Sequence, residues 1–132
     1  MARILIVDDE PHLRATVGRA LALEGHRSEA VVDGETALAR LDGGGFHLAV
    51  VDLSLPGMDG LGLLQALRDR GDPLPVIILT AHGSVQRAVQ ALKLGAHDFL
   101  EKPPDRDHLI HAVAQALEVG RLREQVAALK QG

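Results

Sequence analysis

The sequence predicts an open α/β fold, in which five parallel strands form one sheet with helices on both of its faces. Three short runs rich in Val, Ile and Leu, at 3–8, 47–52 and 75–80, each end at a polar residue. Such runs are typical of strands that are buried on both faces of a parallel sheet. Stretches with helical periodicity alternate with these runs. This alternation favours right-handed strand–helix–strand units, which place helices on both sides.

The boundaries of the elements can be assigned in chain order. Two weaker strand candidates, at 27–32 and 97–101, complete the set of strands. The helices are predicted at 11–23, 33–41, 59–70, 84–94 and from 105 onward. Pro11 suits the first turn of the first helix, and Asp33 can cap the second. Glycine follows most of these helices, and glycine is the usual residue just past the end of a helix.

Length and composition limit the possible classes of protein. The chain has 132 residues, no cysteine and a net charge of -4. We therefore expect one domain without disulfides or thiolate metal sites. An acidic balance is not typical of a nucleic-acid-binding surface, and the apolar runs are far shorter than the ~20 residues of a membrane span. These features predict a soluble protein of the cytoplasm, without direct contact to nucleic acid or membrane.

The last predicted helix continues past the point where the domain could end. Heptad spacing joins four of its apolar residues, which are Val119, Leu122, Val126 and Leu129. Gly120 interrupts this segment and is expected to act as a hinge. The segment is either an amphipathic helix folded back on its own domain or a helix that pairs with a partner copy, and we favour the second. Fewer than two heptads are present, so this helix alone is not expected to hold a dimer.

Polar side chains lie at the predicted carboxyl ends of four strands. They are Asp8 and Asp9 after the first strand, Asp52 after the third, Thr80 after the fourth and Lys102 after the fifth. In open parallel sheets, ligands bind at this edge. Three carboxylates there repel one another unless they share protons or hold a cation, and an all-oxygen set suits Mg²⁺. With an ammonium and a hydroxyl opposite, the set is typical of a site where an aspartate accepts a phosphoryl group.

Single residues of this set have simpler interpretations. An aspartate at a strand end is more often a helix cap, and a lone lysine is usually a solvated charge. Only their joint occurrence on one edge of the sheet favours a phosphoryl site. His108 and His111, three apart on the last helix, could bind a metal, but without a third ligand we interpret them as surface residues.

Four stretches of the chain carry a resemblance to a known family. They are ILIVDDE at 4–10, DLSLPGMDG at 52–60, TAHG at 80–83 and DFLEKP at 98–103. In sequence and in spacing these stretches resemble the receiver domain of bacterial two-component response regulators. The resemblance implies a flavodoxin-like, doubly wound sheet in the order 2-1-3-4-5, with an extended C-terminal helix. It also implies a receiver domain over 1–118 and the start of a helical linker, a possible coiled coil, over 119–132.

The resemblance assigns roles to the residues at the strand ends. Asp52 would be the phosphoacceptor that takes a phosphoryl group from a sensor histidine kinase. Asp8 and Asp9 would hold Mg²⁺ together with Asp52 and the backbone carbonyl of Ser54. Lys102 would pair with the phosphoryl oxygens. The chain would thus be a signalling protein and not an enzyme.

The resemblance also implies a conformational switch. Thr80 and Ala81 would contact the phosphoryl group, and Phe99 would turn inward once Thr80 moves. Lys102–Pro103 would be a cis peptide, which proline permits at low cost. Phosphorylation would then change the shape of the domain and its dimerisation, and so control an output domain.

The stretch at 80–96 is similar to receivers of the NtrC class, which a helical linker joins to an AAA+ ATPase that activates sigma-54 polymerase. A similar stretch also occurs in receivers attached to helix-turn-helix DNA-binding domains, so both output domains stay open. No nucleotide-binding motif such as G-x-x-x-x-G-K-[ST] occurs in the chain. We therefore expect the chain to be part of a longer transcription regulator that forms a homodimer through its last helix.

Two other classes of protein use similar features. A metal-dependent phosphohydrolase with an aspartyl-phosphate intermediate needs the same carboxylates and lysine, but usually carries a second acid where this chain has Ser54. A flavodoxin-like electron carrier needs a phosphate-binding loop after the first strand and aromatic rings. Here that loop contains acidic residues, and the chain has no Trp or Tyr. The signalling interpretation is therefore preferred.

Overall fold

The computed structural model describes residues 2–81 and 84–131, with side chains described as far as 126. Within these residues, five parallel strands form one sheet in the order β2-β1-β3-β4-β5. The strands are β1 (Arg3–Val7), β2 (Arg27–Val31), β3 (Leu48–Asp52), β4 (Val76–Thr80) and β5 (Asp98–Glu101). The predicted α/β fold and its strand order are confirmed.

Helices connect the strands and cover the sheet. They are α1 (Pro11–Leu23), α2 (Gly34–Asp42), α3 (Gly60–Asp69), α4 (Val85–Lys93) and α5 (Arg106–Gln131). Asp33 and Asp59 cap α2 and α3, because their carboxylates accept the N–H groups of Thr36 and Gly62. Ser84 makes no such side-chain bond at the start of α4. No described helix is long and apolar enough to cross a membrane.

Two apolar layers form the core, one on each face of the sheet. On one face α1 and α5 contribute Val17 and Val113, and on the other α2, α3 and α4 contribute residues such as Leu64 and Ala91. β3 and β4 are buried along their whole length. This double burial explains why their sequences are almost continuously apolar.

The predicted hinge at Gly120 is absent, because α5 runs without a break from Arg106 to Gln131. A Cβ atom at Gly120 would lie 3.1 Å from Cγ of Pro75, so glycine lets the helix pack closely against the residue that precedes β4. Beyond this contact the helix turns apolar side chains to solvent: Leu122 is 47% exposed and Val126 is 49% exposed. These two side chains therefore do not fold back on their own domain. The side chain of Leu129 lies outside the described residues.

Candidate functional site

Parallel pairing brings the ends of the central strands to the same edge of the sheet. β1 pairs with β3 in a register that sets Val7 opposite Val51, so the residues that follow them, Asp8 and Asp52, lie side by side. β4 and β5 pair so that Thr80 lies opposite Glu101, immediately before Lys102. The predicted edge is thus formed by residues far apart in the chain.

The structure brings the three predicted carboxylates together. One oxygen from each of Asp8, Asp9 and Asp52 lies within 4.8 Å of the others, in a group that could hold a metal ion. Asp8 and Asp52 are buried, whereas Asp9 is exposed. Asp8 Oδ1 accepts the N–H of Glu10 at 2.8 Å. Its Oδ2 atom is buried and accepts no hydrogen bond of good geometry, with only the ammonium of Lys102 at 3.3 Å, which leaves room for a further ligand.

Lys102 lies against two of these carboxylates. Its Nζ donates to Oδ2 of Asp52 at 2.5 Å and lies 3.3 Å from Oδ2 of Asp8. Burial by itself would lower the pKa of Lys102, but the bond to Asp52 and the charges of both aspartates outweigh it, so the pKa is raised. The ammonium therefore stays charged and offsets part of the negative charge of the group.

Asp52 is held in one orientation by two bonds. Its Oδ1 accepts the N–H of Ser54 at 3.0 Å, while its Oδ2 faces Lys102. Burial raises the pKa of Asp52, and the bonds from Lys102 and Ser54 oppose this shift. The carboxylate of Asp52 is thus buried and fixed between the ammonium of Lys102 and the backbone of Ser54.

The N–H of Lys102 donates to the carbonyl of Thr80 at 2.9 Å, but among the described contacts the side chains of Thr80 and Phe99 do not reach the carboxylates. Thr80 is buried, and its hydroxyl donates to the carbonyl of Ala81 at 3.4 Å. Phe99 is partly buried against the apolar layer of α2, α3 and α4. The Lys102–Pro103 peptide is cis. His108 and His111 are exposed on α5.

Two residues that the sequence analysis did not single out hold the loop after Asp52. Glu35 of α2 binds the backbone of Met58, and Arg87 of α4 binds Leu53 and Asp59. Their partners lie more than twenty positions away in the chain, so no local spacing signals the contacts. The sequence predicted only that a helix begins at about residue 59, which is where this loop ends.

Comparison with known proteins identifies the family. Residues 4–114 match the response regulator receiver domain family, and the chain belongs to that family. The predicted receiver domain of a two-component response regulator is confirmed. Membership in this family favours signalling over the hydrolase and electron-carrier alternatives.

Several relatives are named as regulators. The chain is 40% identical over 130 residues to the nitrogen assimilation regulatory protein NtrX of Azorhizobium caulinodans, covering 97% of this chain and 29% of that protein. It is 43% identical over 123 residues to the C4-dicarboxylate transport transcriptional regulatory protein DctD of Pseudomonas aeruginosa, covering 91% and 26%. The crystal structure of NtrX from Brucella abortus in complex with ADP superimposes with a TM-score of 0.90 at 38% identity, covering 97% and 30%. The chain thus spans well under half the length of the curated relatives it matches.

Proposed function

We propose that this receiver domain accepts a phosphoryl group on Asp52 from the phosphohistidine of a sensor histidine kinase. One observation carries the proposal: Asp52 is buried, held by Lys102 at 2.5 Å, and grouped with Asp8 and Asp9 at the carboxyl edge of the sheet. This arrangement supplies a nucleophile, a fixed cation and further oxygen ligands within one small site.

The transfer balances as a simple displacement. A carboxylate oxygen of Asp52 attacks phosphorus, and the P–N bond of the phosphohistidine breaks. The bonding electron pair leaves with the imidazole nitrogen, which takes one proton from solvent, so the histidine departs as a neutral imidazole. The product is an acyl phosphate on Asp52, and no oxidant or reductant is needed. The N–H of Ser54 on Oδ1 of Asp52 holds the carboxylate in position for the attack.

The residues of the site fit Mg²⁺. The donors are all oxygens, three of them carboxylates, and Oδ2 of Asp8 is buried and accepts no hydrogen bond of good geometry. We propose Asp8, Asp9, Asp52 and the backbone carbonyl of Ser54 as the ligands. When bound, Mg²⁺ offsets the charge that develops on the phosphoryl oxygens.

Lys102, Thr80 and Phe99 act after the transfer in this proposal. The Lys102 ammonium gives up its hydrogen bond to Asp52 and donates instead to a phosphoryl oxygen. The Thr80 hydroxyl turns from the carbonyl of Ala81 towards the phosphoryl group, with the N–H of Ala81 as a second donor. The space that Thr80 leaves lets Phe99 move inward, since its ring is only partly buried.

An intact-mass measurement tests the proposal. The protein is incubated with acetyl phosphate with and without Mg²⁺, alongside Asp52→Asn and the control Asp33→Asn, which alters an aspartate outside the carboxylate group. We expect a Mg²⁺-dependent gain of one phosphoryl group in the wild type and in Asp33→Asn, and none in Asp52→Asn. Undiminished uptake by Asp52→Asn would remove Asp52 from its role.

We further propose that the chain is part of a longer transcription regulator of the NtrC class, with a sigma-54-activating ATPase as output domain. The relatives named as regulators support this, as does their greater length. A helix-turn-helix output domain is the alternative. The protein encoded by the whole gene should be tested for ATP hydrolysis. Hydrolysis would favour the ATPase output domain, and its absence would favour the helix-turn-helix domain.

We propose that two copies pair through α5, along Val119, Leu122, Val126 and Leu129. Support comes from Leu122 and Val126, which are about half exposed at heptad spacing. Val126→Asp should shift the protein towards monomer in sedimentation velocity, because a buried unpaired carboxylate is costly at such a seam. Leu23→Asp, which alters an apolar residue of α1 that is 63% exposed, should leave the oligomeric state unchanged. If Val126→Asp matched the wild type at all concentrations, the pairing through α5 would be wrong.

A further inference from the structure

The loop that follows Asp52 is closed on itself and lies between two helices. The N–H of Gly60 donates to the carbonyl of Leu53 at 3.0 Å, which joins the two ends of the loop. Leu53 comes directly after Asp52, and the proposed metal ligand Ser54 is the next residue. This hydrogen bond therefore links the Asp52 side of the loop to its far end, next to Asp59.

On the α2 side the loop is tightly fixed. Oε1 of Glu35 accepts the N–H of Met58 at 2.6 Å. A Cβ atom at Gly34 would lie only 2.5 Å from the carbonyl oxygen of Met58, so the backbones of α2 and the loop are almost in contact. The loop has little room to move in this direction.

On the α4 side a single arginine holds both ends of the loop. Nη2 of Arg87 lies 2.9 Å from Oδ2 of Asp59 and donates to the carbonyl of Leu53 at 3.2 Å. The other carboxylate oxygen of Asp59 accepts the N–H of Gly62 as the cap of α3. The side chains of Arg87 and Asp59 are 38% and 42% exposed, so the contact is weak enough to form and break readily.

The helix that carries Arg87 is otherwise weakly anchored. α4 buries only two small side chains, Ala88 and Ala91, and Ser84 gives it no side-chain cap. Its larger apolar residues Val85 and Val89 are exposed. A helix with so little buried apolar surface belongs to the less stable part of a fold, where one polar contact shifts the local opening equilibrium.

We propose that Arg87 is a positioning residue that ties α4 to the loop after Asp52, so that movement of this loop on phosphorylation is transmitted to α4. The transmission rests on the proposed phosphorylation of Asp52, whereas the tie itself does not. Glu35 holds the opposite side of the loop, which leaves the α4 side free to respond.

Amide hydrogen exchange of the unphosphorylated chain tests the tie. In Arg87→Gln we expect the amides of α4 to exchange about two- to fivefold faster, the range of an exposed ion pair. Asp59→Asn keeps a capping oxygen but loses the charge, and should give an increase no larger than that of Arg87→Gln, because the bond from Arg87 to the carbonyl of Leu53 remains. The double variant should add little beyond Arg87→Gln alone, Arg87→Lys should restore part of the protection, and Glu35→Gln should leave α4 unchanged. Unchanged exchange in Arg87→Gln, additive effects in the double variant, or equal exchange in the Lys and Gln variants would overturn the tie.

The same measurement after incubation with acetyl phosphate and Mg²⁺ tests the transmission, with mass recording the phosphoryl group. Phosphorylation should alter the exchange of α4 in the wild type, and in Arg87→Gln this response should shrink about two- to fivefold at an equal mass gain. A full response of α4 in phosphorylated Arg87→Gln would overturn the transmission. No mass gain in the wild type would instead refute the proposed function and with it the transmission, while the unphosphorylated comparison still decides the tie.

Discussion

Gly60 sets how closely the start of α3 approaches the strand that carries Asp52. A Cβ atom at this position would lie 2.5 Å from the carbonyl oxygen of Asp52 and 2.8 Å from Cα of Leu53. Both neighbours are backbone atoms, so no side chain can rotate away to relieve the contact. Gly60→Ala must therefore displace either α3 or the end of β3.

The size of the effect follows from two opposing contributions. Overpacking in a dense region costs about 1–3 kcal/mol, and contacts with backbone favour the upper part of that range. Alanine gains back up to about 1 kcal/mol over glycine in a helix. We expect Gly60→Ala to lower the free energy of unfolding by about 2 kcal/mol. Gly62→Ala, two residues on, would meet Cγ of Met58 at 3.2 Å and Oδ1 of Asp59 at 3.4 Å, which are side-chain atoms that can move.

Urea denaturation of the two variants measures the difference. Gly62→Ala should be as stable as the wild type or slightly more stable, since it gains helix propensity without a backbone clash. The unfolding midpoints of the two variants should differ by about 1 M urea or more. If Gly60→Ala unfolded at the same urea concentration as Gly62→Ala, the backbone contact at Gly60 would not limit how closely α3 approaches β3.

Two further predictions concern charges. Lys102→Met leaves two buried carboxylates without their cation, so in the absence of Mg²⁺ this variant should lose about 3 kcal/mol of stability at neutral pH. The control Lys93→Met should lose much less. Equal losses of the two variants in urea denaturation would contradict the role of Lys102. His26 accepts the N–H of Ala2 through Nδ1, and burial lowers its pKa. Its contribution is therefore complete above the ordinary pKa of about 6.5 and is lost as the pH falls below it. His26→Gln should remove this pH dependence, and an unchanged pH profile of stability would contradict it.

Most of the fold could be predicted from the sequence, because strands that are buried on both faces of a parallel sheet have almost continuously apolar sequences. β3 and β4 are buried on both faces, and their continuous apolar runs gave their positions to within one residue. The role of Gly120 could not be predicted, because the reason for a glycine there is Pro75, which is distant in the chain. A glycine selected for close packing looks the same in sequence as one that allows bending.

The candidate site shows the same division. The residues at the strand ends were predictable, because parallel strands carry them to one edge whatever the connecting helices do. The hydrogen bonds among these residues could not be predicted, and neither could the contact of Arg87 with the loop after Asp52. Sequence gives no measure of the distance from a helix surface to a loop more than twenty residues earlier.

The most direct test of the account is to locate the phosphoryl group itself. After incubation with acetyl phosphate and Mg²⁺, borohydride reduces an aspartyl phosphate to homoserine, and peptide mass spectrometry identifies the altered residue. We expect homoserine at position 52 in the wild type. We expect none in Asp52→Asn or in a sample without the phosphodonor. Homoserine at Asp8 or Asp9 in the wild type, with none at position 52, would contradict the central claim.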